Sequence, residues 1–337
     1  MSDYENDERN VSACLTSEDS YEKILRPKSL DEYIGQSAIK ENLKIFIEAA
    51  RKRGQPIDHI LLYGPPGLGK TTLAQIIANQ MGSTMVTIAG PSITKPLDII
   101  GPLTGLSEGE TLFIDEIHRL HKTTEETMYS AMEDFKIGTT MGIGAGTEFT
   151  EITLNHFTII GATTKYGMMS APLRDRFGIV FRLEMYTVEE LYHIISRSAE
   201  ILGARIDADA AYEIARRSRG TPRIANRLLK RTLDFADIKG EGIITNEVAV
   251  MALDALKVDT LGLDITDRKL LEAMIMRFRG KPVGLETLAA ATNEDSGTIE
   301  DVYEPYLLQQ ALIEKTPRGR IPTKLAYDHL GIPFNDD

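Results

Sequence analysis

Eight residues, Gly64-Pro65-Pro66-Gly67-Leu68-Gly69-Lys70-Thr71, match the pattern G-x-x-x-x-G-K-[ST]. That pattern wraps the phosphates of a nucleotide. Gly64, Gly67 and Gly69 let backbone N–H groups turn inward and approach an anion closely. A helix beginning at the end of the loop adds a dipole that favours negative charge. Lys70 can reach the outer phosphates, and the Thr71 hydroxyl is a hard oxygen donor of the kind Mg²⁺ prefers.

A second cluster lies 45 residues after Lys70, where Leu112-Phe113-Ile114 runs into Asp115-Glu116. An apolar strand ending in two carboxylates is common for structural reasons. In the same sheet as a phosphate loop it is the expected pair: Asp115 holds the metal, and Glu116 orients and deprotonates a water. Gly161-Ala162-Thr163-Thr164 ends another apolar run. Its hydroxyl either meets the attacking water or caps a turn. Arg174 and Arg176 follow in Pro172–Gly178. Either is a surface arginine or a guanidinium that neutralises charge on a transferring phosphoryl group. Arg223, after Gly220-Thr221-Pro222, stands at a helix start. Contact between Arg223 and a nucleotide would let hydrolysis move one domain against another.

Strands are expected at 59–63, 85–89, 111–114, 157–161 and 179–183, alternating with helical stretches such as Thr72–Asn79. This predicts an α/β fold, a parallel sheet with helices on both faces, and a ligand at the carboxyl ends of the strands. From 187 to about 255 the period becomes helical: Val188, Leu191, Ile194 and Ile195, then Ala211, Ile214 and Ala215. A small all-helical domain is expected, with a helix at Arg223–Ala236. Helices at 266–278, 285–291 and 297–310 precede a hairpin with a basic turn, Leu312–Pro322. Three helices and a basic hairpin predict a winged helix; a structural helical cap is the other reading. The expected division is an acidic tail over 1–20, a large domain over 21–183, a helical lid over 184–255 and a winged helix over 256–337.

The 337 residues contain a single cysteine, Cys14, which excludes a disulfide framework and a cysteine zinc site. No apolar run reaches 18 residues and the first residues carry no basic-then-apolar leader, so a cytoplasmic protein is expected. A net charge of −12 means that any contact with nucleic acid must be local.

These signals, in this order, resemble the AAA+ ATPases, and among them the bacterial Holliday-junction branch-migration motors. The similar stretches are Leu25-Arg26-Pro27, Tyr33–Gln36, Gly64–Thr71, Phe113–Leu120, Ala131–Phe135, Gly161–Thr164, Arg174–Val180, Arg217–Arg223, Glu304–Gln309 and Thr316–Arg320. Together they run from about 21 to 331. The resemblance implies ATP and Mg²⁺ as cofactors. Leu25, Arg26, Tyr33, Ile34 and Tyr186 would lie around the nucleoside. Gly64, Gly67, Gly69, Lys70, Thr71 and Thr72 would bind phosphates, with Thr71 and Asp115 on the metal. Glu116 would be the base and Thr164 the first sensor. Arg176, or else Arg174, would reach a neighbouring subunit's ATP; Arg223 would be the second sensor. Glu133, Asp134 and Phe135 would belong to the nucleotide site. Lys315, Arg318 and Arg320 would touch DNA phosphates.

A homohexamer on duplex DNA is implied, with RuvA docked on a hairpin at about 138–152 and RuvC as a further partner. The hairpin departs from the family pattern at its tip, where Glu148 stands in place of an arginine and Ile143 and Phe149 keep apolar character. Gly101 and Pro102 are expected to interrupt a helix at Asp98–Leu106, and Lys165 stands where an arginine is typical. The candidate recognition helix carries Glu300, Asp301 and Glu304, which suits a wing that grips phosphates without reading bases. Two other functions share the motifs. A clamp-loader or initiator-type ATPase would switch once, and a nucleotide-gated regulator would have little use for Glu116. A small-molecule kinase would leave 187–337 without purpose.

Overall fold

The computed structural model describes residue 21 and residues 23–141 and 148–334. The acidic tail expected at 1–20 and the hairpin tip at 142–147 lie outside the described residues. The chain divides into two compact units, through Tyr186 and from Thr187 onward.

In the first unit, helix α1 (Ser37–Arg53) buries Ile39, Leu43, Ile47 and Ala50, one face at a spacing of three and four. Strand β1 (Ile60–Tyr63) leads through the glycine loop into α2 (Lys70–Met81). Then come β2 (Met85–Ala89), α3 (Pro96–Thr104), β3 (Thr111–Asp115) and α4 (Lys122–Glu133). A hairpin, β4 (Lys136–Met141) and β5 (Glu148–Thr153), precedes β6 (Thr158–Thr163), the short α5 (Ala171–Arg174) and β7 (Ile179–Arg182). Five strands form a parallel sheet in the order β2-β3-β6-β1-β7. Ile60, Leu61 and Leu62 are fully buried, as a central parallel strand covered on both faces requires. The hairpin pairs from Lys136 opposite Thr153 to Met141 opposite Glu148.

The expected interruption at Gly101 and Pro102 does not occur, because α3 runs through both. Pro102 falls in the last turns of a short helix. The start of that helix is held by Asp98, whose Oδ2 accepts from Thr94 N, Thr94 Oγ1 and Lys95 N at 2.9–3.1 Å.

The second unit opens with α6 (Val188–Ile201), started by a Thr187–Glu190 capping box. A two-residue strand β8 (Arg205–Ile206), α7 (Ala208–Arg216), α8 (Pro222–Lys239), β9 (Ile243–Ile244) and α9 (Asn246–Ala255) complete the lid. The winged helix follows. Its helices are α10 (Ile265–Glu272), α11 (Leu285–Thr292), α12 (Ser296–Thr298) and α13 (Glu304–Gln309). Strands β10 (Ile313–Thr316) and β11 (Gly319–Pro322) form the wing, and α14 (Lys324–Leu330) closes the domain. Leu270, Leu271, Met274, Leu307 and Leu312 share one core, and the antiparallel pair β10–β11 gives the hairpin that a winged helix has and a helical cap lacks. Two expected helices contain a wide π turn, at Ala273–Arg277 and Ile299–Tyr303.

His59, at the foot of β1, ties the first unit together. Its Nδ1 accepts from Ile159 N at 2.9 Å and its Nε2 donates to Met132 O at 3.2 Å. The ring lies between Phe135 and Phe157. Burial lowers its pKa below the ordinary 6.5, so the fold holds the neutral ring. The unfolded chain takes up that proton more readily, so this stabilisation is present above about pH 6.5 and is lost as the pH falls. Melting curves between about pH 7.5 and pH 5.5 are expected to show a loss of stability in the parent protein. A His59→Gln variant, less stable at neutral pH by about 1–3 kcal/mol, should show a shallower pH slope.

Candidate active site

The loop after β1 is shaped for an anion. Gly64, Gly67 and Gly69 have φ of 143°, 80° and 92°. Gly64 is also pressed on the chain leaving β7, where a Cβ would stand 2.5 Å from Leu183 O. Helix α2 starts without a side-chain cap and without an acidic residue in its first turn, so its N–H groups and dipole serve the loop. Lys70 is 7% exposed, and its Nζ donates to Gly64 O at 2.8 Å and Pro65 O at 2.9 Å. These bonds bend the ammonium back over the loop. Uncapped helix N–H groups, a folded-back lysine and Thr71 on the same turn fit a polyphosphate with its cation. Among the described residues no group of three or more histidine, cysteine or acidic side chains forms a metal site.

Tyr33 and Tyr186 brace the loop. The Tyr33 hydroxyl donates to Leu68 O at 3.4 Å, and Tyr186 donates to the Tyr33 oxygen at 3.0 Å. Burial, with Tyr186 beside it, pushes the Tyr33 phenol well above its ordinary range, so it stays a neutral donor. Lys40 Nζ donates to Tyr33 O. The Gln36 amide exchanges two bonds with Glu184, at 2.7 and 3.2 Å. Leu25 is buried, and Arg26 and Ile34 are half-buried on the same N-terminal stretch.

At the neighbouring strand ends the acidic pair meets the hydroxyls. Glu116 has φ 49°, a left-handed conformation that costs a non-glycine residue energy. Its Oε2 accepts from Thr164 N at 3.3 Å and Thr164 Oγ1 at 3.1 Å. His118 Nδ1 lies 3.1 Å from that oxygen and 2.9 Å from Thr163 Oγ1. Asp115 Oδ1 accepts from Glu116 N at 3.0 Å. Sequence reasoning passed over His118, Thr163 and Gly90. Only the two-residue step from Glu116 to His118 could have signalled the first. Gly90 follows β2 and touches the backbone of the acidic pair; a Cβ there would lie 2.4 Å from Glu116 O.

The arginines sit elsewhere on this unit. Arg176 donates to Pro172 O at 2.7 Å and to Glu133 Oε2 at 3.1 Å, and lies 4.2 Å over the Tyr129 ring. Arg174 lies 5.1 Å from the centre of the Tyr166 ring, which stacks on Tyr63 at 4.4 Å. Glu133 is thus a partner of Arg176. Phe135, half-buried, packs against His59, His156 and Phe157 at the rim of the core. In the second unit, Arg223 is exposed in the first turn of α8.

On the wing, Arg318 is exposed at the turn. Lys315 and Arg320 are instead drawn to Glu304, which is 1% exposed, at 2.5 and 2.9 Å. A carboxylate buried this deeply needs cationic partners, so these two charges are partly spent inside the domain. Glu300 and Asp301 remain exposed.

Comparison with known proteins covers nearly the whole chain. Residues 25–183 match the Holliday junction DNA helicase RuvB P-loop domain, 186–259 the RuvB AAA lid domain, and 260–331 the RuvB C-terminal winged helix domain. The solved structure of the Thermotoga maritima RuvB Holliday junction branch migration motor is 47% identical. It is matched over 93% of this chain and 100% of that one, with a TM-score of 0.84. A serine-for-alanine variant of the same protein matches at 47% identity, 92% and 99% coverage and a TM-score of 0.85.

The packing of Gly90 sets an expected outcome. A Gly90→Ala variant must push the Asp115–Glu116 turn aside. A displacement near 1 Å at a reacting group costs about 10²-fold. Steady-state turnover should therefore drop by about 10–100-fold, while nucleotide affinity, set mainly at the loop, stays within about threefold.

Proposed function

Because this chain belongs to the RuvB family of Holliday-junction branch-migration motors, we propose that it hydrolyses ATP to drive branch migration of four-way junctions in homologous recombination and DNA repair. The observation that carries this reading is the meeting of Lys70, Glu116 and Thr164 at adjacent carboxyl ends of one parallel sheet. Backbone N–H groups of Gly67–Thr71 bind the phosphates, and Lys70 swings from its two carbonyl partners to the outer ones. Thr71 and Asp115 would hold Mg²⁺, which would supply positive charge beside the phosphates. Glu116 accepts the proton of the attacking water, and Thr164 holds both the carboxylate and the water in line. Leu25, Arg26, Ile34 and the Tyr33–Tyr186 pair flank the nucleoside.

Arg176 acts on the ATP of a neighbouring protomer in a hexameric ring, with Arg174 beside it on the same turn. Glu133 and Tyr129 hold the guanidinium at the edge of its own subunit, where a neighbour can meet it. Arg223 senses the nucleotide from the lid. Arg318, joined by Lys315 and Arg320 as phosphate competes with Glu304, grips the backbone of duplex DNA. Phosphate contacts carry no sequence information, which a motor that travels over any sequence needs. RuvA docks on the β4–β5 hairpin, and RuvC joins the assembly on the junction.

Three variants test the reading. Glu116→Gln should bind ATP at near-parental affinity and turn it over at least about 10²-fold more slowly. Turnover at the parental rate would remove Glu116 as base. Arg176→Ala and Lys70→Ala should each be inactive on a four-way junction. Mixed together, they should regain part of the rate, because some interfaces then pair an intact loop with an intact arginine. A mixture as inactive as its components would overturn the assignment across the interface.

A further inference from the structure

Arg219 lies four residues before Arg223, in the loop that enters α8, and holds a left-handed φ of 54°. Its side chain leaves the lid and ends inside the winged helix. Nη1 donates to Asp267 Oδ2 at 2.8 Å. Nη2 reaches Val302 O at 3.5 Å, and the guanidinium lies 4.5 Å over the Tyr306 ring. The Asp267 side chain is fully buried, and the same Oδ2 accepts from Asp264 N at 3.0 Å, closing the cap of α10. Burial pushes the Asp267 carboxyl up to about 6 against the pull of Arg219, so the pair is ionic at neutral pH. Tyr306 in turn donates to Leu261 O, in the connector between the two domains, at 2.7 Å.

The rest of that connector is also enclosed. Arg217, 4% exposed, bonds Glu213 at 2.7 Å, Asp254 at 2.9 Å and Val258 O at 2.8 Å. Gly262 packs on it so closely that a Cβ would stand 2.6 Å from Arg217 O. On the other side His329 meets Asp259 at 2.8 Å, and Arg268 donates to Lys257 O at 3.0 Å.

A connector between domains is ordinarily exposed, polar and crossed by few contacts, and relative motion is then the default. Here one planar guanidinium is fixed at three points, which sets an orientation as well as a distance. Breaking it would leave a buried carboxylate uncompensated. We propose that Arg219 is a positioning residue for the motor stroke, locking the lid to the winged helix so that a turn of α8 moves the DNA-binding domain with it. The inference rests on the motor reading above. Arg223, at the start of α8, receives the nucleotide signal; Arg219, one loop away, passes it to the wing.

The test uses the full-length protein in a Cys14→Ser background, with nitroxide labels at Asp237→Cys on α8 and Lys324→Cys on α14, both exposed positions. Two forms are compared with the parent: Arg219→Gln, and the double variant Arg219→Met with Asp267→Asn. The double variant leaves no buried charge unpaired and so keeps the fold. The parent should give one narrow distance peak, and both variants a distribution at least about twofold wider. Both should keep ATP turnover and duplex binding within about twofold, yet move at least about fivefold fewer base pairs per ATP. An unchanged distance width would overturn the lock. A widened distribution with parental base pairs per ATP would overturn its role in the stroke. A parent that hydrolyses ATP and moves no junction would overturn the motor reading instead, and the label widths would still decide for or against the lock.

Discussion

Tyr63 pairs with Thr163 across β1 and β6, and the ladder continues into the loop as Gly64 N donates to Thr163 O at 3.2 Å. On the other flank of β6, Ile114 pairs with Gly161. These registers bring the glycine loop, the threonine pair and the two carboxylates to one edge, with neighbouring strands about 4.8 Å apart. A slip of one residue would turn every side chain of β6 to the opposite face. Thr163 and Thr164 would exchange places, and the carboxylate of Glu116 would lose its partner. Close packing on both faces is what prevents the slip: a Cβ at Gly161 would already stand 3.1–3.2 Å from Ile117, Phe177 and Leu61, and any other register would break the bond from Thr158 Oγ1 to Ile57 O.

How much of this could be read from the chain depends on how far each signal reaches along it. The loop at 64–71, the strands and the wing hairpin are local patterns, with glycine spacing or apolar period inside a short window. They fall where the pattern puts them. The network around Glu116 is not local, since its bonds join residue 116 to residue 164 and residue 118 to residue 163 through a sheet register that no window contains. Gly90 escapes for the same reason, its role being set by the backbone of residues 115 and 116. Pro102 misleads because the helix rule is statistical, while α3 is anchored at its start by Asp98 and needs little from the turn the proline weakens. The π turns at Ala273–Arg277 and Ile299–Tyr303 leave no mark in the apolar spacing at all.

Charge is used in the same non-local way. A chain with a net charge of −12 contains 38 lysines and arginines, so the question is which of them are spent internally. Arg217, Arg219 and Arg268 are committed to the junction between lid and winged helix, and Arg320 to Glu304. These pairs contribute specificity of geometry more than stability, because desolvation consumes much of the Coulomb gain. The cost of burying Glu304 is offset only while Lys315 and Arg320 stay near it. These two cations are thus held by an internal carboxylate, and any anion that approached the wing would have to compete with it for them.

The same logic governs the reacting centre. One oxygen of Glu116, Oε2, accepts from Thr164 N and Thr164 Oγ1 and lies 3.1 Å from His118 Nδ1, so the carboxylate is held by groups at two neighbouring strand ends. Thr164 is therefore placed to hold the carboxylate from the neighbouring strand end. The left-handed φ of Glu116 keeps the side chain at the edge of the sheet, within reach of the Thr164 donors. Gly90 packs on the backbone beneath it, where a Cβ would stand 2.4 Å from Glu116 O, so the turn that carries the carboxylate has no room to shift toward β2.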